Sequence, residues 1–124
     1  MNVKKDLMYT KDHEWIKMDG DKALMGITDY AQDSMGDIVF VELPGIGESF
    51  SEGDSIAVIE SVKAVSDVYC PGNGTVESVN EILEDSPELL NTDCYGQHIL
   101  RLSGFSAEGL LTADEYEALI SKES

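Results

Sequence analysis

Among the side chains able to do covalent chemistry, Lys63 stands apart. The basic residues are Lys4, Lys5, Lys11, Lys17, Lys22, Lys63, Arg101 and Lys122, so between Lys22 and Arg101 the one cation is Lys63, against fifteen Asp and Glu. Two β-prone apolar runs flank it, Ile56-Ala57-Val58-Ile59 and Val65-Ser66-Asp67-Val68-Tyr69. No proline interrupts them, and such runs around a short polar segment predict paired strands with a connecting hairpin. A lysine amine on its long flexible stem at a hairpin tip is open to a modifying enzyme. Small or modest neighbours, Ser61, Val62 and Ala64, leave that approach clear. The pattern alone leaves two readings open: an ordinary solvated lysine, or an amine presented for a prosthetic arm.

Other chemistries find little support. The sequence has no Gly-x-Gly-x-x-Gly opening a helix, no phosphate-binding loop and no Gly-x-Ser-x-Gly elbow. Cys70 and Cys94 form neither a Cys-x-x-Cys nor a metal-ligand cluster, and His13 and His98 do not complete one. They are expected to be reduced thiols. Carboxylates are so many that any pair could pass for a general acid and base. The expectation is a protein that is not an enzyme.

The 124 residues suffice for one domain with a modest core. A net charge of −17 repels nucleic-acid backbones and anionic membranes, and would attract basic patches on partner proteins. The N-terminus lacks the apolar run of a signal peptide and the Arg/Ser-rich character of a transit peptide, and no segment has the apolar length to span a bilayer. A cytoplasmic location is expected.

Several elements must position the lysine. Glu14–Met18 and Lys22–Ile27 read as strands joined through Asp19-Gly20-Asp21. Thr28 is a candidate cap for a short helix that Gly36 stops. Asp37–Leu43 is the clearest strand, and Ile46–Gly53 reads as loop. Past the hairpin come a turn at Pro71-Gly72-Asn73-Gly74, a strand over Thr75–Asn80, a short helix at Ser86–Leu90 capped by Ser86, and a strand over Ile99–Leu102. Thr112–Ile120 carries a Thr-x-x-Glu capping box and predicts a terminal helix. Gly53 and Gly74 lie at similar distances from Lys63, suggesting two similar halves meeting at the hairpin. Many short strands and minor helices predict a mainly β sandwich or flattened barrel.

At this point a resemblance becomes specific. Glu60-Ser61-Val62-Lys63-Ala64-Val65-Ser66-Asp67 resembles the lipoylation site of the H protein of the glycine cleavage system. His13-Glu14-Trp15, Gly26–Gln32, Gly36–Pro44 and Pro87–Asn91 resemble that family in order and spacing, so the likeness runs from about Tyr9 to Ile120. It implies one lipoyl-carrier domain over residues 1–124. The implied fold is a lipoyl/biotinyl-type barrel-sandwich hybrid of two antiparallel sheets, with short peripheral helices and a C-terminal helix. Lys63 would carry lipoic acid in amide linkage. The arm would take an aminomethyl group from the pyridoxal-phosphate-dependent P protein, deliver it to the tetrahydrofolate-dependent T protein, and be reoxidised by the L protein, dihydrolipoamide dehydrogenase. A lipoyl ligase or transferase would load it. By the same resemblance Glu14 lines the cleft that receives the arm, Glu60 is read by the ligase and Asp67 contacts the arm.

The chain also departs from the family pattern. Asp93-Cys94-Tyr95-Gly96-Gln97-His98-Ile99 has Cys94 where proline is usual and His98-Ile99 where Gly-Trp is usual, and Ser34 stands where relatives carry histidine or a longer side chain. These departures keep open an H-like carrier that relays lipoate to 2-oxoacid dehydrogenases or serves another redox system. A biotin carrier is disfavoured because Val62 and Ala64, not methionines, flank the lysine. An E2-type lipoyl domain is disfavoured because no Ala/Pro-rich linker follows the last helix. For Trp15 a core position is expected, and for His13 a local hydrogen-bonding role.

Overall fold

A computed structural model describes residues 1–123. Its elements are β1 (Met8–Tyr9), β2 (Glu14–Asp19), β3 (Lys22–Ile27), α1 (Asp29–Met35), β4 (Ile38–Glu42), β5 (Ser49–Phe50), β6 (Ser55–Ser61), β7 (Val65–Tyr69), β8 (Asn73–Val79), α2 (Ile82–Asp85), α3 (Leu89–Thr92), β9 (Leu100–Ser106) and α4 (Ala113–Glu123). They form a six-stranded sheet in the order β1-β2-β3-β9-β8-β5 and a three-stranded sheet in the order β4-β6-β7. Every pairing is antiparallel.

Local chemistry explains most boundaries. Asp19 pairs with Lys22 across a two-residue turn whose Gly20 has φ of +64°, a left-handed conformation that costs a glycine little. Thr28 caps α1 by accepting the Ala31 N–H, and Gly36, at φ +75°, ends the helix. Glu115 accepts the Thr112 N–H at 2.9 Å and Thr112 accepts the Glu115 N–H at 3.2 Å, the reciprocal capping box that starts α4.

The mirrored glycines have a different meaning from the two halves the spacing suggested. The β6–β7 hairpin lies wholly within the smaller sheet, and the chain crosses between sheets just before β6 and just after β7. Gly53 N–H donates to the Cys70 carbonyl at 3.0 Å, and Cys70 N–H donates to the Asp54 carbonyl at 2.8 Å, closing the two crossings against each other. At Gly72 a Cβ would fall 2.2 Å from the Ser106 carbonyl oxygen, so only glycine lets this crossing pass so close to β9.

Other expectations shift by small amounts. The Ile46–Gly53 loop contains β5, because Ser49 and Phe50 pair with Thr75 and Gly74. The polar start contains β1, held by pairing with β2. Asn73 and Gly74 belong to β8 rather than to a turn, and the Ile99–Leu102 strand extends to Ser106. Ser86 accepts the Leu89 N–H through its backbone carbonyl at 3.1 Å, and α3 starts without a side-chain cap. The preceding single turn, α2, carries little helical pattern beyond Leu83, its one buried residue.

The main core lies between the sheets and includes Ile16, Met25, Ile38, Val41, Ile59, Val68, Val76 and Leu102. A second cluster, Leu7, Tyr9, Trp15, Ala113, Tyr116 and Ile120, fixes α4 to the outside of the larger sheet. There Tyr9 and Tyr116 stack with ring centroids 4.6 Å apart. Trp15 is core, as expected: it is buried and its Nε1–H donates to the Cys94 carbonyl at 3.0 Å.

Gly26 pairs directly with Trp15, and a Cβ added there would lie 2.8 Å from three atoms of the indole. The ring is held by its hydrogen bond and cannot yield cheaply. Gly26→Ala should therefore lower stability by about 1–3 kcal/mol, the usual range for overpacking, despite the chain-entropy gain. Urea unfolding followed by the fluorescence of the one tryptophan measures it, and an unchanged midpoint would refute the tight contact.

Candidate functional site

The hairpin tip is a two-residue turn. Glu60 pairs with Val65, and Ser61 N–H donates to the Ala64 carbonyl at 2.8 Å, leaving Val62 and Lys63 at the centre. Among the described residues the one non-glycine with positive φ is His13, so this turn uses no left-handed residue. Such a turn does not match strand twist as the usual glycine-containing hairpin turns do. Ser61 compensates: its Oγ accepts the N–H of Lys63 at 3.3 Å and of Ala64 at 3.0 Å. Val62 N–H donates to the Asp37 carbonyl at 3.0 Å, tying the tip to the start of β4.

Lys63 is exposed, and among the described residues no ion pair engages it. Its stem runs over Gly36, where a Cβ would come within 3.3 Å of the Lys63 Cε. Gly36 thus ends α1 and leaves a cradle for the lysine stem. The first role is legible in the sequence; the second arises only from the tertiary juxtaposition. Glu60 is half-buried three residues before the lysine. Asp67 is exposed and accepts the Ser55 hydroxyl at 2.8 Å.

At the opposite end of the hairpin lies a cavity of about 670 Å³, lined by Thr10, Glu14, Tyr69, Cys70, Pro71 and Leu110 among others. Lys63 and Tyr69 are about 20 Å apart along an extended strand. Glu14 is 2% exposed. One carboxylate oxygen accepts the Thr10 hydroxyl at 2.6 Å and the other accepts the Tyr69 N–H at 3.2 Å. Burial pushes its pKa up to about 7, and the two hydrogen bonds hold the rise in check. Cys70, on the same wall, donates its thiol to the Gly72 carbonyl, and burial raises its pKa as well. The structure brings Glu14 to the base of the hairpin, while Asp67 is engaged separately on the exposed sheet. Thr10 and Tyr69 were not singled out by sequence reasoning; no motif marks them.

His13 plays the local role expected of it. Its Nδ1 meets the Tyr116 hydroxyl at 2.8 Å, and its ring stacks on Tyr30. Of the departures, Ser34 lies two residues before the Gly36 that underlies the Lys63 stem. Cys94 is buried and contacts Trp15 through its backbone carbonyl, an acceptor that proline would also provide. Its thiol and that of Cys70 are both free. His98 is half-buried in a shallow groove with Lys4, Lys17, Trp15 and Tyr95, and Ser34 is exposed on α1.

The family model for the glycine cleavage H-protein matches residues 7–123. The chain belongs to this family. It is 48% identical to a glycine cleavage system H protein of Herpetosiphon aurantiacus, over 99% of this chain and 97% of that one. It is 50% identical to the corresponding protein of Carboxydothermus hydrogenoformans, over 98% and 96%. The crystal structure of a glycine cleavage system H protein from Mycobacterium marinum superposes with a TM-score of 0.90 at 38% identity, covering 96% of this chain and 99% of that one. The two antiparallel sheets with their short helices and C-terminal helix are therefore the barrel-sandwich hybrid of the H-protein family. Family membership makes the chain a carrier component of glycine cleavage and not an enzyme.

Glu14 links this fold to pH. Its folded value of about 7 lies above the ordinary 4.5, so between these values the folded state binds more protons than the unfolded one. Stability must then fall as pH rises through that window, by on the order of 3 kcal/mol in total. Glu14→Gln keeps the shape and one acceptor, and its amide NH2 can donate to the Thr10 hydroxyl oxygen, but it cannot ionise. The difference in urea-unfolding free energy between variant and parent should grow in the variant's favour from pH 4.5 to 7.5. A constant difference across that range would show that Glu14 titrates normally.

Proposed function

We propose that Lys63 is the site at which lipoic acid is held in amide linkage, and that the chain is the lipoyl carrier of glycine cleavage. The observation that carries this reading is the tip itself. It presents a solvent-exposed lysine that makes no ion pair among the described residues, on a turn braced by Ser61 and over a gap kept by Gly36. The cradle fits an amide-linked arm: the bare backbone of Gly36 leaves room for the end of the lysine stem, and the residue stays exposed. When bound, lipoic acid supplies a redox-active dithiolane at the end of a flexible arm. The P, T and L proteins are the partners this function calls for, with a lipoyl ligase or transferase to load the lysine. Residues 1–124 act as one carrier domain in the cytoplasm, where two free buried thiols fit a reducing environment.

The chain's own residues have distinct parts in this reading. Ser61 and the β6–β7 pairing hold the attachment point still. Glu60, three residues before Lys63 and half-buried, is a recognition feature for the loading enzyme. Glu14 is the acceptor for a cationic amine brought into the cavity. Such a cation favours the ionised carboxylate and lowers its pKa from the raised value. Asp67 is a second acceptor along the way, freed by giving up its bond from Ser55. The relay alternative gains nothing from the structure, since the Cys94 substitution preserves the contact made there.

The direct test is peptide mass spectrometry of chain produced with lipoate and a lipoyl ligase. The adduct is expected on Lys63 alone, and Lys63→Arg should abolish it while leaving the fold intact. An adduct elsewhere, or one that survives Lys63→Arg, would overturn the assignment. With a net charge of −17, affinity for the P and T proteins should also weaken as salt is raised. Titration calorimetry at two ionic strengths reads this, and an affinity that holds or rises would assign docking to apolar contact instead.

A further inference from the structure

The outward face of the three-stranded sheet shows a pattern unlike an ordinary solvated surface. Between Ile38 and Phe40 the β4–β6 register slips by one residue, a β-bulge on β4. A strand alternates sides, so a regular β4 would turn Val39 and Phe40 to opposite faces. With the bulge both face outward, 53% and 47% exposed. Phe40 pairs with Glu60 and Glu60 with Val65, so these three side chains form one row across the outer face. The next row is Glu42, Val58 and Asp67. Val62 and Val65, beside the lysine, are 70% and 68% exposed. Apolar and acidic side chains therefore alternate, and Lys63 is the one cation on these three strands and their connecting turn.

We propose that this face, with Phe40 and Val65 on either side of Glu60 and with Glu42 and Asp67 flanking Val58 in the next row, is the docking surface for the enzyme that acylates Lys63, whose complementary surface sets apolar pockets among basic groups. The proposal rests on the lipoyl-lysine reading. Reach selects this partner. An enzyme acting on the end of a long arm can work at a distance, but one acylating Nζ must place its own active site over the tip, within a side chain's length of the Phe40 row. Charge excludes the alternative of a second copy, since two such faces would bring carboxylates against carboxylates. An aromatic side chain is a usual anchor of an energetically dominant contact.

Steady-state lipoylation by a purified lipoyl ligase, with unmodified chain as the varied substrate, tests the face. Mass spectrometry of the parent's product first establishes Lys63 as the site, and its failure would overturn the lipoyl-lysine reading itself. Given that site, Phe40→Ser should raise KM about tenfold or more with kcat unchanged. Phe40→Lys should raise KM further by opposing the basic groups. Met18→Ser, an exposed apolar residue on the six-stranded sheet, should behave as the parent. Glu42→Gln should flatten the dependence of KM on salt, whereas Phe40→Ser should leave it steep. Unfolding midpoints of the Phe40 variants should match the parent, because the side chain lies outside the core. A parental KM in both Phe40 variants would overturn the proposal, as would a fall in kcat alone. Parent dimers that Phe40→Ser dissolves would do the same, by assigning the face to a second copy.

Discussion

The working end of this molecule depends on a hairpin closed at both ends. At the base, the paired bonds between Gly53, Asp54 and Cys70 hold the two inter-sheet crossings together. At the tip, Ser61 substitutes a side-chain acceptor for the left-handed residues that a two-residue hairpin usually needs. Between these closures β6 and β7 pair continuously from Val58 to Glu60 and from Val65 to Asp67. An attachment point at the tip is thus fixed relative to the cavity at the base. Loosening either closure would let the tip move independently of Tyr69 and the cavity wall.

The cavity carries a local conflict. Burying Glu14 opposes its ionisation, and two hydrogen bonds offset only part of that cost. A carboxyl poised near neutrality changes charge readily when a charged group comes near it. The surrounding backbone is correspondingly well braced. His13, just before Glu14, sits at φ +70°, outside the usual range for its type. The Tyr116 hydroxyl bonds both its ring and Thr28, and Thr28 N–H donates to the His13 carbonyl. The terminal helix therefore supports the segment that carries the buried acid, through a cluster separate from the main core.

Charge is distributed unevenly between the two sheets. Lys5, Lys22 and Arg101 are paired with acids on or near the larger sheet and α4. Among the described residues, the carboxylates of the smaller sheet make no ion pair. Exposed ion pairs stabilise little, so this division has more consequence for encounter than for folding.

Much of this was legible in the residues themselves. The Asp-Gly turn, the Thr28 cap, the Thr112 capping box and the paired apolar runs around Lys63 are local signals, and each formed where its chemistry predicted. The octet around Lys63 and the blocks at His13–Trp15 and Gly36–Pro44 were enough to place the family. Elements held by distant partners were not legible: β1 and β5 are two residues long and exist only because β2 and β8 pair with them. The bulge that turns Val39 and Phe40 outward follows from a register set against β6, which no local pattern in Ile38–Glu42 records. Likewise Gly36 beneath Lys63, and Thr10 and Tyr69 around Glu14, join residues far apart in the chain. Sequence periodicity reports which way a side chain faces within its own element; which side chain it meets there is decided by how the two sheets pack.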